Sequence, residues 1–176
     1  MNYRESVTNS GATFQVPENI VRIEIETSGV YGWQIRYGEP EVMILDKSAS
    51  AIGAESALSE AVQELIKRIH SLDAPTGLRK TVSKNKTSDL PSGISGPVVC
   101  NRKGRKFSEY NFGISIPRFG DKPTTRNIYI GTENNMNEQR YDIALAKAIE
   151  VRNKAVAAFQ EAKTNDRRAK AVLEVK

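Results

Sequence analysis

The fold is decided by residues 110–131, which read YNFGISIPRFGDKPTTRNIYIG. Two segments of this stretch alternate apolar with polar side chains, and their apolar members are Phe112, Ile114, Ile116, Ile128 and Ile130. A period of two residues is typical of a half-buried strand. The segment 117–125 between them is rich in turn-forming residues. The stretch therefore predicts an antiparallel hairpin with one apolar face.

One further strand and a helix complete this hairpin. Val98–Cys100 reads as a short strand before it. A helix is predicted after Asn137, and its apolar side consists of Leu145, Ala148, Ile149, Val156 and Phe159. A sheet of three short strands cannot bury its apolar face alone, so the helix is expected to lie across it.

The first half of the chain repeats this order. Strands are predicted at 20–26, 31–37 and 42–45, followed by a helix that Ser56 can cap and that ends at Ala74-Pro75. The apolar side of this helix consists of Leu58, Ala61, Val62, Leu65, Ile66 and Ile69. Each helix begins at a similar distance after its last strand, which indicates an internal duplication. Two unrelated helices that share alanines by chance remain the alternative.

These patterns predict an α+β fold of two tandem modules, each a three-stranded antiparallel sheet packed on one amphipathic helix. The expected boundaries are a flexible leader (1–19), a first module (20–75), a basic linker (76–97), a second module (98–163) and a helical extension or tail (164–176). The linker is predicted from its high content of Ser, Thr, Lys, Gly and Pro.

The charge is unevenly distributed between the two halves. Residues 1–75 contain 6 Lys and Arg against 11 Asp and Glu, a net charge of −5, whereas residues 76–176 contain 20 against 10, a net charge of +10. A basic surface attracts polyanions, of which nucleic acid is the commonest. The alternative to a polyanion partner is a solvated linker whose lysines only keep it soluble. This alternative explains Lys84 and Lys86 well, but it explains the basic run at 102–106 less well.

Several classes of protein are disfavoured by the composition. The chain has one cysteine, Cys100, and one histidine, His70, so neither an internal disulfide nor a structural zinc site is expected. No apolar run approaches the roughly 20 residues of a membrane span, and the start lacks the pattern of a secretory signal. We therefore expect a cytoplasmic protein without a membrane partner. Without a phosphate loop, nuclease motif or metal cluster, we expect no enzyme activity, cofactor or metal.

The strand motifs resemble those of a known family. The segments YGWQIR (31–36) and GISI (113–116), the latter leading to IYIGT (128–132), are similar to the ethylene-response-factor (Apetala-type) DNA-binding domain. The helix YDIALAKA (141–148) is similar to the helix of that domain, which occurs in plant transcription factors, phage homing endonucleases and integrase arm-binding domains. The resemblance implies two tandem copies and a regulator of phage or mobile-element type.

The resemblance also implies a site on the outward side of the second sheet, inserted in the major groove of duplex DNA. Arginines would read guanine edges, lysines would contact phosphates, and Tyr129 would pack on the sugar-phosphate backbone. The residues implied in the second module are Arg102, Lys103, Arg105, Lys106, Ser115, Arg118, Lys122, Arg126, Asn127 and Tyr129. In the first module they are only Gln34 and Arg36, and the sequence predicts that Glu24, Glu26, Glu39 and Glu41 surround these two.

Those carboxylates would repel phosphate, so the acidic first module is expected to bind a protein or its partner module. The alternative function for the whole chain is an interaction protein. Such a small phage-type inhibitor or adaptor would bind a protein or nucleoprotein complex, for example a host defence or CRISPR effector, through its sheet surfaces.

Overall fold

The computed structural model describes residues 1–48, 50–79, 81–82, 86, 88–101, 104 and 106–172, with side chains as far as residue 171. In this part of the chain the fold is α+β, with three antiparallel sheets and two α-helices. The elements in chain order are β1 (Tyr3–Val7), β2 (Thr13–Pro17), β3 (Ile20–Ile25), β4 (Val30–Ile35), β5 (Val42–Leu45), α1 (Ala51–Ser71), β6 (Ile94–Cys100), β7 (Glu109–Ile116), β8 (Thr124–Thr132) and α2 (Glu138–Val172).

The chain divides into two compact units. The first unit comprises Met1–Pro75 together with the C-terminal segment from Lys163 onward, and the second comprises Thr76–Ala162. The segment 164–176, predicted as an extension or tail, therefore belongs to the first unit. Its described contacts explain why: the Thr164 hydroxyl accepts a hydrogen bond from the backbone N–H of Ala74 at 3.0 Å, and Ala171 is fully buried.

The first unit contains a sheet in the order β3-β4-β5, here called the first sheet. Because β3 and β4 pair Ile20 with Ile35 and Arg22 with Trp33, these side chains share one face. Helix α1 packs on this face, and their common core contains Ile20, Trp33, Ile35, Tyr37, Ala57, Ala61, Leu65 and Ile69. The Trp33 indole donates a hydrogen bond to the Ala54 carbonyl at 2.8 Å, which ties the sheet to the helix.

The prediction of a flexible leader at 1–19 is wrong. Strands β1 and β2 form an antiparallel hairpin, and the polar Thr8–Gly11 segment that reads as loose chain is its turn. The hairpin contributes to the core of the first unit, since Val16 is fully buried and the Phe14 ring meets the Trp33 ring edge-on at 5.6 Å. This hairpin is a third sheet, which the two-module prediction did not include.

Helix α1 begins and ends earlier than the sequence predicts. Its N-cap is Ser50 rather than Ser56, and the Ser50 hydroxyl accepts a hydrogen bond from the Gly53 N–H at 3.3 Å. The last helical residue is Ser71, because the chain turns to an extended conformation at Leu72.

The second unit contains a sheet in the order β6-β7-β8, here called the second sheet. Its core joins the sheet to α2 and contains Leu90, Ile94, Phe112, Ile114, Ile128, Ile130, Ala144 and Ala148. Strand β6 begins at Ile94, so the last residues of the predicted linker are part of the sheet. Linker residues 80, 83–85 and 87 lie outside the described residues. None of the described helices is long and apolar enough to cross a membrane.

Candidate nucleic-acid interface

The register of the second sheet determines which side chains share its outer face, opposite α2. Gly113 of the central strand pairs with Ser95 and Asn127, and Asn111 pairs with Val98 and Tyr129. Directly paired residues project to the same side of an antiparallel sheet. The outer face of the second sheet therefore consists of Ser95, Val98, Asn111, Gly113, Ser115, Thr125, Asn127 and Tyr129. Cys100 and Glu109 follow at one end, and Asn111 and Glu109 are buried.

A groove of about 420 Å³ crosses this face beside β6. Ser95, Gly113, Ser115 and Thr125 line it, and Arg79 and Lys86 contribute its cationic side chains. A Cβ atom at Gly113 would lie 2.9 Å from the Ser95 hydroxyl. Because glycine has no side chain, the groove stays open at the middle of the face.

Basic turns lie at both ends of the face. Lys106 is exposed in the turn between β6 and β7, and Arg118 and Lys122 are exposed in the turn between β7 and β8. Phe119 anchors the second turn, because its ring lies edge-on to the Phe159 ring of α2 at 6.4 Å. The eight residues of β7 hold the two turns about 25 Å apart.

The sequence-predicted residues are thus distributed over several places. Ser115, Asn127 and Tyr129 lie on the outer face and are exposed, and Lys106 and Lys122 lie in the flanking turns. Arg102, Lys103 and Arg105 fall outside the described residues.

Two arginines that were expected on the outward face are elsewhere. Arg126 pairs with the core residue Ile114, so its side chain leaves the edge strand on the side of α2. Arg118 follows the end of β7, and its guanidinium forms an ion pair with Asp121 at 2.9 Å. Adjacent residues of a strand project to opposite sides, so Arg126 and Asn127 cannot share a face.

Other cations of the second unit stabilise its fold. The Lys86 ammonium donates hydrogen bonds to the carbonyl oxygens of Leu90, Pro91 and Ile94 at 2.6, 2.9 and 2.8 Å, so it is not a freely solvated lysine. Arg152 of α2 donates to the backbone oxygen of Ser115, and burial lowers its pKa.

The two predicted residues of the first unit are hydrogen-bonded to each other and to a carboxylate. Arg36 donates to the Gln34 amide oxygen at 2.9 Å, and the Gln34 amide donates to Glu41 at 2.5 Å. The prediction that Glu24 surrounds this pair is wrong, because Glu24 shares the other face of the sheet with Trp33. There it accepts a hydrogen bond at 2.8 Å from Arg22, which also binds both carboxylate oxygens of Asp46.

Sequence reasoning missed Ser95, Val98, Asn111, Gly113 and Thr125. The signal that could have found them is the alternation itself, since Gly113 lies two residues before Ser115 and Thr125 two residues before Asn127. Ser95 and Val98 required the register of β6, which shifts between these residues.

A second cavity of the second unit, of about 740 Å³, lies at the start of α2 and is lined by Tyr110, Glu133, Met136, Asn137, Glu138, Tyr141 and Asp142. Its three carboxylates make it unsuited to phosphate. Within the described residues, no group of three His, Cys, Asp or Glu side chains could hold a metal ion.

No protein-family model, curated protein or solved structure matches this chain.

Proposed function

We propose that this chain is a non-catalytic duplex-DNA-binding protein of the regulator type that binds through the outer face of the second sheet. The observation that carries the proposal is the set of exposed hydroxyl and amide side chains on this face, between two turns that carry cationic side chains. These exposed side chains belong to Ser95, Ser115, Thr125 and Asn127. The second unit has 15 Lys and Arg against 8 Asp and Glu, a net charge of +7 that favours a polyanion.

The dimensions of the sheet support the major groove as its binding place. Three strands spaced about 4.8 Å apart give a ribbon about 10 Å wide between its outer strands. The major groove is about 12 Å wide and admits a two-stranded β-ribbon, and the span of this three-stranded sheet between strand axes is still below that width. The turns with Lys106 at one end and Lys122 at the other would then contact phosphates, while the face between them contacts base edges.

We also infer that the two sheet-and-helix arrangements are tandem copies, as the Apetala-type resemblance implies. The support is a shared motif at the same place in each central strand. Gly32-Trp33-Gln34-Ile35 of β4 and Gly113-Ile114-Ser115-Ile116 of β7 both direct the glycine and the polar residue outward. The N-terminal hairpin would be an addition to the first copy.

The test is a titration of a labelled random duplex of about 20 base pairs with the full chain, followed by fluorescence anisotropy at about 50 and 200 mM salt. We expect binding that weakens steeply with salt, because phosphate contacts release counterions. Replacing Lys106 and Lys122 together by alanine should lower the salt slope by about 2.

The matched control replaces Lys47 and Lys67, two exposed lysines of the first unit, by alanine and should leave the slope unchanged. An absence of binding at the lower salt concentration would contradict the proposal.

Protein binding is the second candidate function, and one feature of the first unit favours it. The outer face of the first sheet, opposite α1, carries the aliphatic side chains of Val21, Ile23, Ile25, Met43 and Leu45, of which Ile25 and Leu45 are exposed. An apolar face of this kind is typical of a protein contact. Light scattering of the chain and of Ile25→Lys over a range of concentrations tests self-association through this face. A mass of 19.5 kDa at every concentration would exclude a second copy as the partner.

A further inference from the structure

The outer face of the second sheet has an unusual composition for a surface that contacts DNA. Its described strand residues include hydroxyl, amide, aliphatic and phenol side chains, but no arginine or lysine. Among the described cations, Arg118, Lys106 and Lys122 lie in the turns, and Arg126 projects from the other side. Arg79 and Lys86 line the groove beside β6 from outside the strands, and the Lys86 ammonium is bound to three carbonyl oxygens. The groups that would touch base edges therefore differ in chemistry from those that would touch phosphates.

Base pairs offer different partners to such side chains. In the major groove guanine presents two acceptors, which suit arginine or lysine. Adenine presents an acceptor beside a donor, which suits an amide, and thymine presents a methyl group, which suits an apolar side chain. The strand residues of the outer face therefore suit adenine and thymine better than guanine.

The geometry places an amide and apolar groups in adjacent rows of the face. Asn127 is exposed beside Gly113, which has no side chain to obstruct the amide. In the next row Val98 and Tyr129 are 45% and 47% exposed. Asn127 and Tyr129 are two residues apart, about 6.7 Å along the strand. That distance equals two base-pair steps of about 3.4 Å each for a strand that follows the groove. Val98 shares the row of Tyr129 but lies on the opposite edge strand, about 10 Å away across the sheet, so it would meet a different base pair from Asn127.

We propose that the outer face of the second sheet selects A·T base pairs, with the Asn127 amide on adenine and the Val98 methyl groups against a thymine methyl. This inference rests on the proposed binding of duplex DNA. The sequence led us to expect that arginines contact guanine. Here an amide contacts adenine and an aliphatic side chain contacts thymine instead.

The experiment compares three duplexes of equal length with the full chain. One has an A·T centre, one has the same sequence with deoxyuridine in place of thymidine, and one has a G·C centre. We expect the A·T duplex to bind about tenfold more tightly than the G·C duplex, the lower range of one good base contact. Deoxyuridine lacks only the methyl group, so its duplex should bind several-fold more weakly than the thymidine duplex.

Two matched variants locate the contact. Val98→Ser should abolish the difference between thymidine and deoxyuridine duplexes, whereas Val99→Ser should retain it. Val99 is 50% exposed and adjacent in sequence, but it pairs with Tyr110 and so projects from the opposite side. Asn127→Ala should reduce the preference for A·T over G·C.

The outcomes separate this inference from the proposed function. Salt-dependent binding of equal strength to all three duplexes, or a preference for G·C, would overturn A·T selection and leave duplex binding intact. A thymidine preference that survives in Val98→Ser would overturn the assignment of the methyl contact. An absence of binding to every duplex would overturn both proposals.

Discussion

The outer faces of the two sheets differ although their inner faces are alike. In both units an apolar inner face is covered by a helix, and the central strand directs a glycine outward, Gly32 in β4 and Gly113 in β7. The first outer face presents mostly aliphatic side chains, whereas the second presents hydroxyl and amide groups between basic turns. The inner faces determine the fold, and the outer faces determine what each unit can bind.

The two glycines illustrate the same division. A Cβ atom at Gly32 would lie 2.4 Å from the Ile44 backbone oxygen, so this glycine is required by the close approach of β5. At Gly113 the nearest atom is the Ser95 hydroxyl, a side chain that can move. The first glycine is therefore needed for the fold, and the second shapes an accessible surface.

The largest expected effects come from removing the central side chain of each core. Trp33 and Phe112 are both fully buried, and truncation of either to alanine should reduce the stability of its own unit by about 3–5 kcal/mol. We expect Phe112→Ala to abolish duplex binding and Trp33→Ala to preserve it. Thermal unfolding by circular dichroism and duplex titration measure the two effects. If Trp33→Ala lost duplex binding and Phe112→Ala retained it, the first unit and not the second would be the one that binds DNA.

The next effect concerns the C-terminal segment of the first unit. Truncation after Ala162 removes the hydrogen bond between Thr164 and Ala74, the bond from Arg168 to the Ile69 carbonyl at 3.2 Å, and buried Ala171. At about 1 kcal/mol for each hydrogen bond, the first unit should lose about 2–3 kcal/mol. Scanning calorimetry should show a lower melting temperature for this unit, with duplex affinity unchanged. An unchanged melting temperature would contradict the assignment of this segment to the first unit.

A smaller effect distinguishes a structural lysine of the second unit from one that is proposed to contact phosphate. Lys86→Met removes three hydrogen bonds to carbonyl oxygens and should reduce stability by about 1–2 kcal/mol. Lys106→Met, at an exposed turn position, should leave the melting temperature unchanged and weaken duplex binding instead. Equal melting temperatures for the two variants would show that the contacts of Lys86 do not stabilise the unit.

The smallest effect is a pH dependence confined to the first unit. A hydrogen bond from the Asn2 amide lowers the pKa of Glu18 below 4.5, and the charge of Arg167 adds to this shift. Since the lowered pKa belongs to the folded state, the stabilisation is present above about pH 4.5 and is lost as the pH falls through the folded value. As the pH is lowered from 6 to 3, the melting temperature should fall less steeply for Glu18→Gln than for the parent. Identical slopes would contradict this contribution.

The sequence predicts elements that depend on local periodicity. Strand β5 at Val42–Leu45 and strand β7 at Glu109–Ile116 lie where alternation or an apolar run indicates them. The N-terminal hairpin was missed because its turn residues are equally typical of loose chain. The role of Lys86 was missed because it depends on carbonyl groups that only the folded chain brings together.

The candidate site was predicted less completely, and Arg126 shows the reason. Its charge and its place in β8 are visible in the sequence, but the side from which it projects follows from its pairing with Ile114. Asn127 and Tyr129 were placed on the outward face because they alternate with Ile128 and Ile130, whose burial the apolar pattern predicts. Periodicity therefore predicts faces within one strand, whereas partners across the sheet depend on long-range pairing.

The most direct test of the account compares two single substitutions at equivalent positions of the central strands. Ser115 and Gln34 each lie two residues after the outward glycine, and both project from the outer face of their sheet. A glutamate at either place adds one negative charge without entering a core. Fluorescence anisotropy with a labelled duplex at low salt should show at least tenfold weaker binding for Ser115→Glu and unchanged binding for Gln34→Glu. Equal losses in both variants, or a loss confined to Gln34→Glu, would contradict the claim that the outer face of the second sheet binds DNA.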